Sequence, residues 1–247
     1  MLKKKNISTI IIVGIFLLGI GIVIYPWLSD YINKLHASRA IAGYSEAVSN
    51  IDPEEIARMW KEAVEYNKKL LERPNRLKLS KSEEEEYNKI LNVTGTGVMA
   101  YVEIPKIHTN MPIYHGTDEA VLQVAIGHLE GTSMPVGGES THVFITGHRG
   151  LPSAKLFTDI DRLEKGDRFY IETLGIKLTY EVDQIKTILP NQLDNVRIFK
   201  GQDYVTLVTC TPYGINTHRL LVRGKRVHEE GEITPMDEDF LSSFEKK

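Results

Sequence analysis

The chain carries one cysteine, Cys210, and it closes a run of strand-forming residues, Tyr204-Val-Thr-Leu-Val-Thr-Cys210. Thr211-Pro-Tyr-Gly214, which follows, is composed of turn formers. A lone cysteine is most often a small buried hydrophobe. Where a strand meets a loop, however, its side chain can face a groove and act as a nucleophile. A thiol nucleophile needs a base or a positive charge beside it. Eight histidines are candidates. His36 falls on a helical stalk and His228 on a polar tail. His218 adjoins Arg219 and so faces the other side of any strand they share. His148 differs: it ends the strand-like run Val143-Phe-Ile-Thr-Gly147 and opens a loop, Arg149-Gly-Leu-Pro152. Arg219 lies nine residues past Cys210, across a loop containing Gly and Pro. Two strands joined by that loop would set Cys and Arg side by side, where a guanidinium can hold a carbonyl or stabilise an oxyanion. Taken singly, each residue also has an ordinary reading as a buried thiol, a loop histidine or a surface arginine.

The elements that must position these residues follow from periodicity. Residues 98–104, 141–146, 168–174, 177–188, 204–210 and 219–227 are short, rich in Val, Ile, Thr and Tyr, and separated by Gly and Pro. Leu174-Gly175 links two of them as a tight hairpin, and residues 153–164 read as one helix-like turn. Many short strands predict a closed β-barrel or a sandwich. Upstream the texture is helical. Residues 30–50 read as a helix, and Asp52-Pro53-Glu54-Glu55 as the start of another. Ile56, Met59, Trp60, Ala63, Val64, Leu70 and Leu71 give that second helix one apolar face, and Arg73-Pro74 ends it. Ser82 followed by four glutamates predicts a short third helix.

The first thirty residues add a membrane. Lys3, Lys4 and Lys5 precede 24 uncharged residues, Asn6 to Ser29, long enough at ~1.5 Å per residue to cross a bilayer with some tilt. Tyr25 and Trp27 suit the headgroup interface, and the lysines place the N-terminus in the cytoplasm. A cleaved signal peptide is the competing reading; its apolar core would be shorter, and a small-residue cleavage site is missing after the run. The chain of 247 residues has 30 Lys+Arg against 33 Asp+Glu, with 42% hydrophobic and 26% charged residues. That balance is globular and lacks the basic excess of a nucleic-acid binder. A single cysteine excludes intramolecular disulfides and Cys-based zinc motifs.

Thr206-Leu-Val-Thr-Cys210 with Arg219, and Thr146-Gly-His148 lying 62 residues before the cysteine, resembles the sortases, membrane-anchored cysteine transpeptidases of Gram-positive bacteria. Cys210-Thr-Pro-Tyr-Gly-Ile-Asn-Thr-His-Arg219 is similar to class C, pilin-polymerising members. So are Tyr101-Val-Glu-Ile-Pro-Lys106, His115-Gly-Thr117, Gly127-His-Leu-Glu-Gly-Thr132 and Thr146-Gly-His-Arg-Gly-Leu-Pro152. The resemblance covers about residues 98–227. It implies an eight-stranded barrel, with catalytic roles for Cys210 as nucleophile, His148 as acid and base, and Arg219 as oxyanion support. It implies cleavage of an LPXTG-like signal between Thr and Gly and transfer of the Thr to a pilin Lys, with hydrolysis of the thioacyl intermediate as a side reaction. It implies no cofactor, and pilin subunits and the membrane as partners.

The expected organisation is a cytoplasmic tail at 1–5, a transmembrane anchor at 6–28, and a helical extension at 29–97. The catalytic barrel follows at 98–228, on the extracellular face, and an acidic tail without fixed structure at 229–247. Two departures from class C stand out. The tail reads as polar, where relatives commonly carry a second transmembrane segment. Relatives also carry a lid with an Asp-Pro-aromatic motif, whereas Glu72-Arg-Pro-Asn-Arg76 has Arg73 and Asn75 in the places of the Asp and the aromatic. A degenerate lid predicts an open groove, a mobile loop at 73–81 and a reactive Cys210. A housekeeping sortase, using a peptidoglycan amine, and an inactive peptide-binding module are the alternatives. A papain-like protease is disfavoured, because its Cys would precede its His.

The full chain is expected in the membrane fraction, held by residues 6–28; recovery of a secreted form beginning near residue 29 would instead identify a cleaved signal.

Overall fold

The computed structural model describes residues 2–230, 232, 234–236 and 240. Helix α1 (Leu2–Ser49) runs without a break through Pro26, so the predicted anchor and stalk are one element. From Ser8 onward it is long and apolar enough to cross a membrane: its apolar window of 18 residues has a mean hydropathy of 2.6, with none of that window buried against the rest of the chain. Beyond Asp30 the helix becomes a strut. Ala37, Tyr44 and Val48 bury one face of it against the domain.

Helix α2 (Pro53–Glu72) begins as predicted, with Asp52 before Pro at the first turn, although the Asp52 side chain makes no capping bond. Its apolar face is buried: Ile56, Trp60, Ala63, Tyr66 and Leu70 all pack inward. Asn67 clamps the barrel by accepting from Met134 N at 2.6 Å and donating to Met134 O at 3.1 Å. Helix α3 (Lys81–Tyr87) starts two residues earlier than expected. Ser80, not Ser82, caps it, in a reciprocal capping box with Glu83.

The rest is a closed barrel of eight strands: β1 (Val98–Ile104), β2 (Thr109–His115), β3 (Ile126–His128), β4 (Thr141–Thr146), β5 (Arg168–Thr173), β6 (Ile176–Ile188), β7 (Asp203–Thr211) and β8 (His218–Val227). Their order around the barrel is β1-β2-β3-β4-β7-β8-β6-β5, closing back on β1. A four-residue helix, α4 (Glu119–Leu122), precedes β3. Six strands match the predicted runs. β2 and β3 escaped sequence reading because β2 contains Pro112 and polar Thr109-Asn110, while β3 is only three residues long. Leu174 (φ 50°) and Gly175 (φ 76°) form the predicted hairpin turn, both in the left-handed region that primed turns need.

Alternation divides the sheet cleanly. Val143 and Ile145 of β4, Val205 and Leu207 of β7, and Leu220 and Val222 of β8 point into the main core. Phe144, Val208, Leu221 and Ile188 point outward, into a second apolar cluster.

Two expectations need correction. The loop after α2 is seated rather than loose. Arg76 donates to Gly131 O at 3.0 Å and to Val196 O, and Arg73 pairs with Glu83 at 3.3 Å. The tail also has fixed points among its described residues: Glu232 pairs with Arg226, and Phe240 is buried in the core. The remainder of the predicted acidic tail, residues 231, 233, 237–239 and 241–247, lies outside the described residues.

Gly131 holds φ +71°, and a Cβ built on it would stand 1.9 Å from Arg76 O. Gly131→Ala is therefore expected to destabilise the domain by about 1–3 kcal/mol, through backbone strain and displacement of the 73–80 loop. A thermal melt would register this as a drop of several degrees.

Candidate active site

Cys210 is the penultimate residue of β7 and lies directly across from Arg219 on antiparallel β8. Opposed residues on one face have Cβ atoms about 5 Å apart, within reach of a thiol and a guanidinium. Both share the outward parity of Val208 and Leu221, so neither enters the barrel core. Cys210 is half-buried and unpaired by disulfide. Arg219 Nη1 donates to Asn216 O at 3.3 Å and to His218 O at 3.2 Å, which ties the guanidinium to the β7–β8 loop. The loop folds on itself through bonds from Ile215 N and Asn216 N to Pro212 O.

β4 runs parallel to β7 and brings His148 to the same end. Thr146 is in register with Val208. Gly147 N donates to Val208 O at 3.1 Å, and Thr209 Oγ1 donates to Gly147 O at 2.7 Å. The chain thus leaves β4 two residues before His148, and Gly147 lies beside Thr209, the residue preceding Cys210. Gly147 leaves room for Phe157, whose ring lies 3.1 Å from where a Cβ would be, and Phe157 N donates to His148 O at 3.2 Å. The His148 Nε2 atom is buried without a hydrogen-bond partner; Glu119 Oε2 of α4 stands 3.8 Å away.

Three other histidines are held in the barrel by bonds of their own. His128 is held by Tyr87 and Ser133 O, and burial pushes its pKa down to about 4. His142 is bonded to Arg197 O and Thr206 Oγ1 and is likewise pushed down to about 4 by burial. His115 lies between Gly97 O and Ile90 O, with burial again lowering its pKa.

Next to the trio, the outer face of the sheet is apolar. Phe144, Ile188 and Leu221 form its floor, and Leu129, Val196 and Val208 pack against them. Val196 belongs to the β6–β7 connection that Arg76 grips, so the loop after α2 braces the cover of this cluster. A thiol, an imidazole and a guanidinium thus gather at one end of the barrel, outside its core, a set of groups suited to attack on a carbonyl.

A family profile described as "Sortase domain" matches residues 102–227, just over half the chain. The chain belongs to the sortase family. Among curated relatives, Sortase A of Streptococcus agalactiae is 28% identical over 153 residues, covering 61% of each protein. Sortase D of Bacillus subtilis is 30% identical over 129 residues, covering 51% of this chain and 62% of the relative. These matches span about three fifths of each relative. Solved structures match over more of the chain. Sortase C1 of Streptococcus agalactiae is 48% identical, with a TM-score of 0.75 over 78% of this chain and all of that one. Sortase C of Streptococcus pneumoniae is 46% identical, with a TM-score of 0.71 over 79% of this chain and all of that one.

In this sortase the structure adds groups that sequence reading missed. Arg149 joins the two catalytic loops: it donates to Thr211 Oγ1 at 3.2 Å, pairs with Asp161 and lies 5.9 Å from the centre of the Tyr213 ring. Its position straight after His148 was a signal, but its three partners are distant in sequence. Glu119 and the apolar floor were invisible for the same reason.

Arg149→Met keeps most of the side-chain volume and removes both polar contacts. It is expected to lower kcat by up to about a hundredfold, through misplacement of His148 relative to Cys210. Arg149→Lys should not restore full activity, because a point charge cannot replace the planar fork. Unchanged kcat in both variants would remove the brace from the site.

Proposed function

We propose that this sortase joins pilin subunits, with Cys210, His148 and Arg219 as its catalytic residues. The Cys210 thiolate attacks the Thr carbonyl of an LPXTG-like sorting signal. A C–S bond forms, and the C–N bond to Gly breaks as His148 delivers a proton to the leaving amine. Arg219 orients the peptide and balances charge on the carbonyl oxygen. The thioester keeps the acyl group activated. An incoming pilin Lys amine gives its proton to His148, attacks the thioester carbon and releases the thiolate, leaving an isopeptide bond. Water in place of the amine gives hydrolysis.

The observation that carries this reading is the cross-strand pair of Cys210 and Arg219 on the outer face of the barrel, at the end to which β4 brings His148. Likeness to class C structures favours a pilin as substrate; the Streptococcus pneumoniae enzyme among them was described in terms of its pilin substrate specificity. The helix that can cross a membrane fits an enzyme held at the cell surface, with its barrel on the extracellular side.

Full-length enzyme incubated with a sorting-signal peptide and candidate pilins should yield Lys isopeptides by mass spectrometry. Cys210→Ala should abolish thioacyl capture. His148→Ala and Arg219→Ala should each lose about a thousandfold or more in kcat/KM, because the three act as a unit. Transfer to a peptidoglycan amine in place of Lys would move the reading to wall anchoring.

A further inference from the structure

Helix α1 fixes which end of the barrel meets the bilayer. At its first polar turn, Ser29 Oγ donates to Tyr25 O at 2.7 Å and lies 3.3 Å from Pro152 O, and Asp30 Oδ1 accepts from Lys155 N at 2.8 Å. Residues 152 and 155 belong to the loop that follows His148. Fourteen residues later, Tyr44 OH donates to Met99 O at 3.0 Å and accepts from Leu174 N at 2.8 Å. Met99 is the second residue of β1, and Leu174 lies in the β5–β6 turn, at the opposite end of the barrel. At ~1.5 Å per residue the two anchor points are ~21 Å apart along the helix, about the height of the barrel. The strut therefore stands upright beside the sheet, and the end bearing Cys210, His148 and Arg219 is the end where the apolar segment stops.

Exposed apolar side chains stand at that end beside exposed charged ones, Glu119, Lys155 and Arg162 among them. Outside α1, the described residues leave eight large apolar side chains exposed, and four of them, Val124, Leu189, Tyr213 and Ile215, lie at this end. Val124 precedes β3, whose Gly127 pairs with Thr146 at the close of β4. Leu189 follows Ile188, the partner of Arg219. Tyr213 and Ile215, at the tip of the β7–β8 loop, are 60% and 68% exposed. Tyr213 is tied to the His148 loop, since a Cβ on Gly150 would lie 3.0 Å from its ring. An aromatic with a polar tip beside an exposed aliphatic matches the chemistry of the bilayer interface. On α1, Trp27 and Tyr31 occupy the same level, 84% and 60% exposed.

We propose that the catalytic end of the barrel rests on the membrane surface, with Tyr213 and Ile215 set among the lipid headgroups beside the exit of α1. The proposal rests on α1 as the anchor and is independent of the acyl acceptor. It places Cys210 at the lipid surface, so that substrate is taken from peptide presented there and not from peptide held a barrel's height above it.

The test uses the full chain in nanodiscs whose lipids are brominated near the headgroup end of the acyl chain. Native Trp27 reports the anchor, and buried Trp60 supplies a constant background. Tyr213→Trp and Ile215→Trp, each made in a Trp27→Phe chain, place an indole on the loop. Asn50→Trp in the same chain places one at the far end. The expected result is loss of emission from both loop indoles to the level seen for Trp27, with none from the indole at position 50. Loop indoles no more quenched than the far-end one, while Trp27 is quenched, would overturn the proposal and leave the anchor standing. An unquenched Trp27 would remove the anchor itself, and the proposal with it.

Discussion

Side chains along β7 alternate between the barrel interior and its outer face, and the parity of that alternation decides whether the Cys210 thiol is buried in the core or stands on the outer face. Val205, Leu207 and Thr209 point inward; Thr206, Val208 and Cys210 point out. The pairing of β7 with β8 carries the same parity across to Arg219 and Leu221. A slip of one residue in either strand would drive a cation or a thiol into the core and turn Leu207 or Val222 to solvent. The buried aliphatics of the barrel, which are the main source of its stability, therefore also hold the site in register. Stability and chemistry are set by alternate residues of the same strands.

Much of this arrangement was legible in the sequence because it depends on local patterns. The strand runs are short and bounded by Gly and Pro, the hairpin carries Leu174-Gly175, and Cys210 and Arg219 flank one turn. His148 was legible from its place at a strand end. What could not be read depends on distant partners. β2 hides behind Pro112, and β3 is too short to show a period of two. The loop after α2 looked unanchored because the carbonyls that hold Arg76 belong to Gly131 and Val196, 55 and 120 residues away. Likewise, Glu119 comes close to His148 only after the barrel has closed.

The long first helix and the loops around the site act on one another. Asp30 holds the segment after His148, Arg149 holds that segment to Thr211 and Tyr213, and Arg219 holds the far side of the same loop. These contacts continue from α1 through two loops to Cys210. Loops braced in this way hold their side chains in place more firmly than loops held by their own turns.

Closure of the barrel also limits how a peptide can be gripped. An open sheet can bind an extended chain by pairing with its free edge, with main-chain hydrogen bonds that accept any sequence. Here β1 pairs with β5 to complete the circle, and the short gap beside β3 is filled from within: Leu129 N donates to Phe144 O, and Ser133 N to His142 O. The ladder over the Phe144 cluster has its backbone partners already in place. A peptide meeting this face finds no free strand edge, so selectivity falls to side-chain contacts and not to strand pairing.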